Sequence, residues 1–278
     1  MKNYIKHLSL AAVAATLTVS ARAEAISDAG NGDLVLGIYA TAGTGNGNTL
    51  QVNLGEFTRF AKFDGSTVTI SELALADLNN FGASGAFARS TVSWGVIGYS
   101  GTSTYTSTGT GLKTTRNTLF ATSTGSLNSG SLNAQSGAAP TIAGLYGTLV
   151  NGTATGNSSS SMYVTSDSFS WAGQQIAGAP LDFGYFTSTV TSTADVASLS
   201  LYELLPSNAT NATYTETGIT AADKGVPRLL GNFNLASNGT LTFTNAGTAI
   251  PEPSTYAAIA GSVILGVVAY RRRRAVKA

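Results

Sequence analysis

The chain has 278 residues, 43% apolar and 10% charged, with 32 glycines, no Cys, one His and a formal charge of +1. Without Cys, and with its only His at His7, the remainder cannot build a Cys or His zinc site, a Ser-His-Asp triad or a Cys nucleophile with a His base, and no disulfide can staple it. The chemistry left open is a carboxylate pair of the glycosidase kind, or calcium held by oxygen ligands.

Residues 1–23 read as a signal peptide. Lys2 and Lys6 form a basic n-region, Leu8 to Val19 an apolar h-region, and Ala21-Arg22-Ala23 an A-x-A site that places cleavage after Ala23. Ala23-Glu24-Ala25 is a second site, and an uncleaved membrane anchor is the alternative. His7 leaves with this segment. Residues 24–250, the exported body, then hold seven Lys or Arg against thirteen Asp or Glu, a net charge of −6. A mildly acidic body with no basic run argues against a nucleic-acid partner, whose affinity rests on phosphate neutralisation.

Asp28, Asn31 and Asp33, beside Gly30 and Gly32, loosely resemble a calcium loop, but without its ligand spacing or terminal Glu they read more simply as an Asx-rich turn. Leu34 to Tyr39 is a continuous apolar run. Gly43-Thr44-Gly45-Asn46-Gly47 lacks a following helix and a P-loop Lys, so it is a turn and not a phosphate cradle. Leu50, Val52 and Leu54 alternate, as a strand with one buried face does. Asp64-Gly65, ahead of Ser66 to Ile70, predicts a hairpin. Ser71 caps a run in which Ala74, Leu75, Leu78 and Phe81 share a helical face that Gly82 can end.

Val92, Trp94 and Val96 alternate again. Ser100 to Thr115 is rich in hydroxyls and suits O-glycosylation, and N-glycosylation sequons stand at Asn151, Asn157, Asn208, Asn211 and Asn238. In residues 127–161, Ile142, Leu145, Tyr146, Leu149 and Val150 outline a second helix that Gly144 and Gly147 weaken; otherwise the stretch reads as a long surface excursion. Leu199 with Leu201, Phe233 with Leu235, and Leu241 with Phe243 are further period-two pairs. Asn238-Gly239 between the last two predicts a type I′ hairpin over residues 228–244.

These elements describe one mainly β domain, an antiparallel β-sandwich or jelly-roll-like fold with one or two short helices. Its carboxylates, such as Asp33, Glu56, Asp64, Glu72, Asp77, Asp167, Asp182, Asp195, Glu203 and Asp223, are scattered singly, mostly beside Gly or Ser in turns. Trp94 and Trp171 sit among apolar or small residues, so a core role outweighs sugar stacking.

The tail, residues 251–278, has three parts. Pro251 and Pro253 bracket Glu252 in a stiff extended break. Ser254 or Thr255 then offers an N-cap, and residues 254–270 carry no charge. These roughly 17 residues, at 1.5 Å each, give about 25 Å of helix, at the short end of a transmembrane span. Tyr256 and Tyr270 stand at the two interfaces, and Arg271, Arg272, Arg273 and Arg274 with Lys277 make residues 271–278 a basic cytoplasmic stop.

Pro251-Glu252-Pro253, the helix and the arginine cluster together resemble the PEP-CTERM sorting signal, also labelled an ice-binding protein C-terminal domain; that label is no evidence for ice binding. The resemblance covers about a tenth of the chain. It implies export, then recognition and cleavage near the triplet by exosortase, a membrane transpeptidase-like enzyme. Val52-Asn53-Leu54-Gly55, Gly65-Ser66-Thr67-Val68-Thr69, Phe81-Gly82 and Ser93-Trp94-Gly95-Val96 are similar in order to ectodomains of uncharacterised PEP-CTERM proteins over residues 33–100. That similarity carries no catalytic residues and no cofactor.

The expected protein is thus not an enzyme. It is an exported structural or adhesive component of the cell surface or an exopolysaccharide matrix, passing through a single-pass inner-membrane intermediate with its C-terminus in the cytoplasm. The alternatives are a carbohydrate-binding module, which needs exposed aromatics on one face, and a carboxylate glycosidase, which needs two acids about 5 to 10 Å apart in a cleft.

Overall fold

The computed structural model describes residues 32–40, 48–81, 87–100, 118–123, 127, 132–151, 153–155, 161–165, 171, 196–206 and 225–247. The expected signal peptide, the tail with its expected membrane helix, Gly43 to Gly47, and Ser100 to Thr115 beyond Ser100 lie outside them. Among the described residues there are ten strands: β1 (Asp33–Ala40), β2 (Asn48–Glu56), β3 (Thr67–Thr69), β4 (Val92–Tyr99), β5 (Leu119–Ser123), β6 (Thr153–Ala154), β7 (Ser161–Thr165), β8 (Ser198–Leu204), β9 (Arg228–Leu235) and β10 (Leu241–Asn245). The helices are α1 (Leu75–Phe81) and α2 (Leu132–Asn151). The expected mainly β, antiparallel class is what the molecule adopts. All ten strands join one sheet in the order β3-β10-β9-β8-β5-β4-β1-β2-β7-β6, so a single sheet stands where two separate ones were expected.

That sheet is curled. Phe60, in the 3₁₀ turn Phe57–Phe60 that leaves β2, lies 5.1 Å from the ring of Phe243 on β10 and 5.5 Å from Phe233 on β9, although β2 stands six places from β10 in the strand order. The concave face is filled by alternate residues of nearly every strand, among them Leu36, Ile38, Leu50, Val52, Trp94, Phe120, Leu201, Phe233 and Phe243. Burying such side chains is the main drive to close the sheet, at about 1.5–3 kcal/mol each.

The opposite face is divided. Over β1, β4 and β5 it carries a second core, in which Ala138, Ala139, Ile142, Leu145 and Tyr146 of α2 pack with Val35, Ile97, Tyr99, Leu119, Ala121 and Trp171. This explains the unbroken run Leu34 to Tyr39: β1 is central, and strands covered on both sides lose their alternation. Leu204 and Tyr202 of β8 still join that second core, and beyond them, over Ser198, Ser200, β9, β10 and β3, the same face is mainly polar and open to solvent.

Four local expectations change. The first helix begins at Leu75, several residues after Ser71, with the Asp77 and Leu78 N–H groups bonded to the Ala74 carbonyl. Leu78 is buried but Leu75 is 50% exposed, and Leu73 takes its place in the core from the preceding turn. The second helix starts at Leu132 and runs 20 residues through Pro140. Pro140, Gly144 and Gly147 lie on its half-exposed or exposed side, where the packed face opposite offsets their poor propensity.

Asp64-Gly65 does not close a hairpin. Phe63 and Gly65 take positive φ (52° and 70°), the Ser66 N–H bonds the Asp64 carboxylate at 2.8 Å, and the chain swings into β3 at the sheet edge, antiparallel to β10. The 228–244 hairpin forms as expected, but its turn is not type I′. Gly239 alone has positive φ (85°), its N–H bonds the Ala236 carbonyl at 3.0 Å, and the Ala236 N–H bonds the Thr240 carbonyl at 2.8 Å. Ser237-Asn238-Gly239 is thus a three-residue loop with glycine at the left-handed position.

Candidate functional site

The described carboxylates were the chemistry left open by composition, and each has a local setting. Asp33 opens β1, buried, with its carboxylate 3.4 Å from the Asn53 amide nitrogen. Glu72 is buried in an ion pair with Arg59, whose guanidinium also donates to the Leu54 carbonyl at 3.0 Å. Asp77 is buried in α1 and accepts the Thr155 hydroxyl at 3.0 Å, tying the helix to the end of β6. Glu203 is buried on β8 with the Arg228 guanidinium 4.0 Å away, and that guanidinium lies 4.2 Å over the Phe63 ring. Asp64 is exposed, and its hydrogen bonds from Ser66 hold its carboxyl below the ordinary value. Glu56 is exposed and accepts the Thr58 hydroxyl at 3.2 Å.

Strand alternation puts Asp33 on the α2 side of the sheet and Glu203 on the concave side, so these two buried acids point to opposite faces. Among the described residues no group of three or more His, Cys, Asp or Glu is placed to hold a metal. Asp28 and Asn31 of the calcium-like turn lie outside those residues; Asp33 does not. Asp167, Asp182, Asp195 and Asp223 lie outside them too.

Both tryptophans are core residues. Trp94 is fully buried on β4 and donates its indole N–H to the Val196 carbonyl at 2.9 Å. Trp171 lies against Gly37 at the centre of the α2 side, and its backbone N–H bonds the Gln51 side chain at 2.8 Å. Neither offers a stacking platform. Beside Trp171's core, the Tyr146 hydroxyl donates to the Asp33 carbonyl at 2.7 Å and accepts the Tyr99 N–H at 3.4 Å. Burial holds the Tyr146 phenol well above its ordinary pKa, and that of Tyr99 above it as well.

The Trp171 contact was missed in the sequence, yet it leaves a signal there. Gly37 of β1 and Gly95 of β4 are register partners inside two central strands, and glycine in a strand interior marks close approach by another group.

The residues expected to govern sorting, Ala21, Ala23, Pro251, Glu252, Pro253, Tyr256, Tyr270, Arg271, Arg272, Arg273 and Arg274, all lie outside the described residues. Among those described, no helix is long and apolar enough to cross a membrane. The fold defines a mainly β protein built on one curled antiparallel sheet. No family model, curated protein or solved structure matches the chain.

Proposed function

We propose that this is an exported surface or exopolysaccharide-matrix protein, structural or adhesive and without catalysis of its own, delivered by a PEP-CTERM-like tail that an exosortase-type enzyme processes. The observation that carries the reading is the order within residues 251–278: a Pro-Glu-Pro break, an uncharged segment of helix-spanning length, and four successive arginines. The arginine cluster stops transfer and stays in the cytoplasm, so the body lies across the membrane from it. The fold is compatible with such handling. The last of its described strands ends at Asn245, and the Pro-Glu-Pro triplet follows at residue 251, so cleavage there leaves every described strand intact.

The body has the character of a scaffold. Its described buried acids are engaged in ion pairs and hydrogen bonds that join elements, and its curled sheet encloses one core while α2 seals another. Trp94 and Trp171 are buried, so neither serves as a sugar-stacking platform. Protease added to intact spheroplasts tests the topology: digestion of the body with protection of the arginine tail supports it, and a protected body with a trimmed tail refutes it.

A further inference from the structure

The solvent-facing side of β8, β9, β10 and β3 carries two rows of short uncharged side chains. Register places Thr67, Thr244, Asn232 and Ser200 in one row, and Thr69, Thr242, Asn234 and Ser198 in the other. Thr242 and Ser200 are half-exposed and the other six exposed, while the intervening Val68, Phe243, Phe233 and Leu199 point into the core. Neighbours are about 4.8 Å apart across strands and about 7 Å apart along them. The side chains are partly fixed by one another: the Thr67 and Thr244 hydroxyls lie 2.9 Å apart, and the Ser200 hydroxyl donates to the Asn232 amide oxygen at 2.8 Å. At one end of the lattice an apolar strip begins. Half-buried Tyr202, packed at the edge of the α2-side core, pairs with Leu229, 40% exposed, where a bulge interrupts the β8–β9 register.

We propose that this face docks a neutral polysaccharide, the hydroxyl and amide rows meeting sugar hydroxyls and the Tyr202 strip meeting an apolar sugar face. The choice of partner follows from charge. None of the eight positions is ionisable, so the rows have nothing to neutralise phosphate or an anionic membrane, and none is apolar, as the core of a protein interface is. Hydroxyls and carboxamides both donate and accept, matching a partner whose surface is hydroxyl groups. An uncharged ligand on an uncharged face also avoids the desolvation of ions, and side chains already bonded to one another lose less freedom on contact. The inference rests on the matrix reading for its class of partner, and names the surface that would meet it.

The test uses the full chain purified in neutral detergent and sedimented with microcrystalline cellulose, chitin and cross-linked dextran. Native chain should be retained on at least one of the three. Asn234→Glu with Thr242→Glu, which places charge in one row, should lower that retention at least tenfold; Asn234→Thr with Thr242→Ser, and Ala143→Glu on exposed α2, should not. Thermal melting of each variant within a few degrees of native separates lost binding from lost fold. Absence of native retention on all three polymers overturns the proposal, as does equal retention by the glutamate variant. A change of sedimentation coefficient in that variant without loss of retention would assign the face to a second copy and also overturn it. Tail processing is read from the protein's C-terminus in cells, so failure here and failure of the sorting reading are distinguishable.

Discussion

The indole of Trp171 occupies the space that a side chain at residue 37 would need: a Cβ built on Gly37 would collide with the ring. Gly37 is in the central strand β1, and Trp171 is held by its backbone N–H on Gln51 of β2, the register partner of Gly37. The contact locks a distant segment onto the sheet beside α2.

Gly37→Ala should therefore destabilise the protein by about 1–3 kcal/mol or more, because the ring must be displaced from a packed site. Trp171→Ala should cost about 3–5 kcal/mol through lost burial. In the Trp171→Ala background the Gly37→Ala change should become nearly neutral, a coupling that urea unfolding of the two singles and the double can measure. Additive losses would show that the ring does not rest on Gly37.

Arg59→Ala should be worse than Glu72→Gln. Removing the cation leaves Glu72, fully buried, without its ion pair, at a cost of about 3–5 kcal/mol. Glu72→Gln exchanges the carboxylate for an amide of the same shape that still accepts a hydrogen bond from Arg59, and should cost about 1–2 kcal/mol. Denaturant midpoints at constant m-value decide the order.

Gly239 sits at φ 85° with the Leu75 side chain of α1 2.8 Å from where a Cβ would be. Gly239→Ala should lose about 1–2 kcal/mol from the left-handed backbone, plus displacement of Leu75. Asn238→Ala, which removes only the bond from the Thr240 N–H at 3.0 Å, should lose about 1 kcal/mol or less. Equal effects would contradict the loop assignment.

Tyr146 gives a pH signature. Burial raises its folded-state pKa above the unfolded value of about 10, so its neutral form contributes fully below that pH. As pH rises past it the unfolded chain releases the proton first, and stability should fall until the folded pKa is passed. Tyr146→Phe should lower stability at pH 7, through the lost bond to the Asp33 carbonyl, and flatten the decline above pH 10. Melting temperatures of both proteins from pH 7 to 11 check the sign.

Much of the sheet was legible because period-two alternation reports one buried face directly: Leu50-Val52-Leu54, Val92-Trp94-Val96 and Phe243 all enter the concave core. Alternation does not report which strands adjoin, so a single curled sheet and two packed sheets read alike; the Phe60–Phe243 contact decides it. The hairpin at residues 228–244 was legible but its turn was not, since Asn-Gly suits both a two-residue turn and a three-residue loop, and the pairing of Leu235 with Leu241 selects the longer. The length of α2 was hidden by Pro140, Gly144 and Gly147, whose exposed positions only the packing reveals. Of the candidate sites, the buried roles of Trp94 and Trp171 followed from their apolar neighbours, whereas the polar rows on β8, β9, β10 and β3 depend on register between strands far apart in sequence.

The sorting reading is tested most directly by the C-terminal residue of the protein recovered from the cell surface or medium, identified by mass spectrometry of its terminal peptide. Cleavage near Pro251-Glu252-Pro253, with Arg271 to Arg274 gone and residues 1–23 absent from the N-terminus, is the predicted result. Released protein that still carries Arg271 to Arg274 would contradict it.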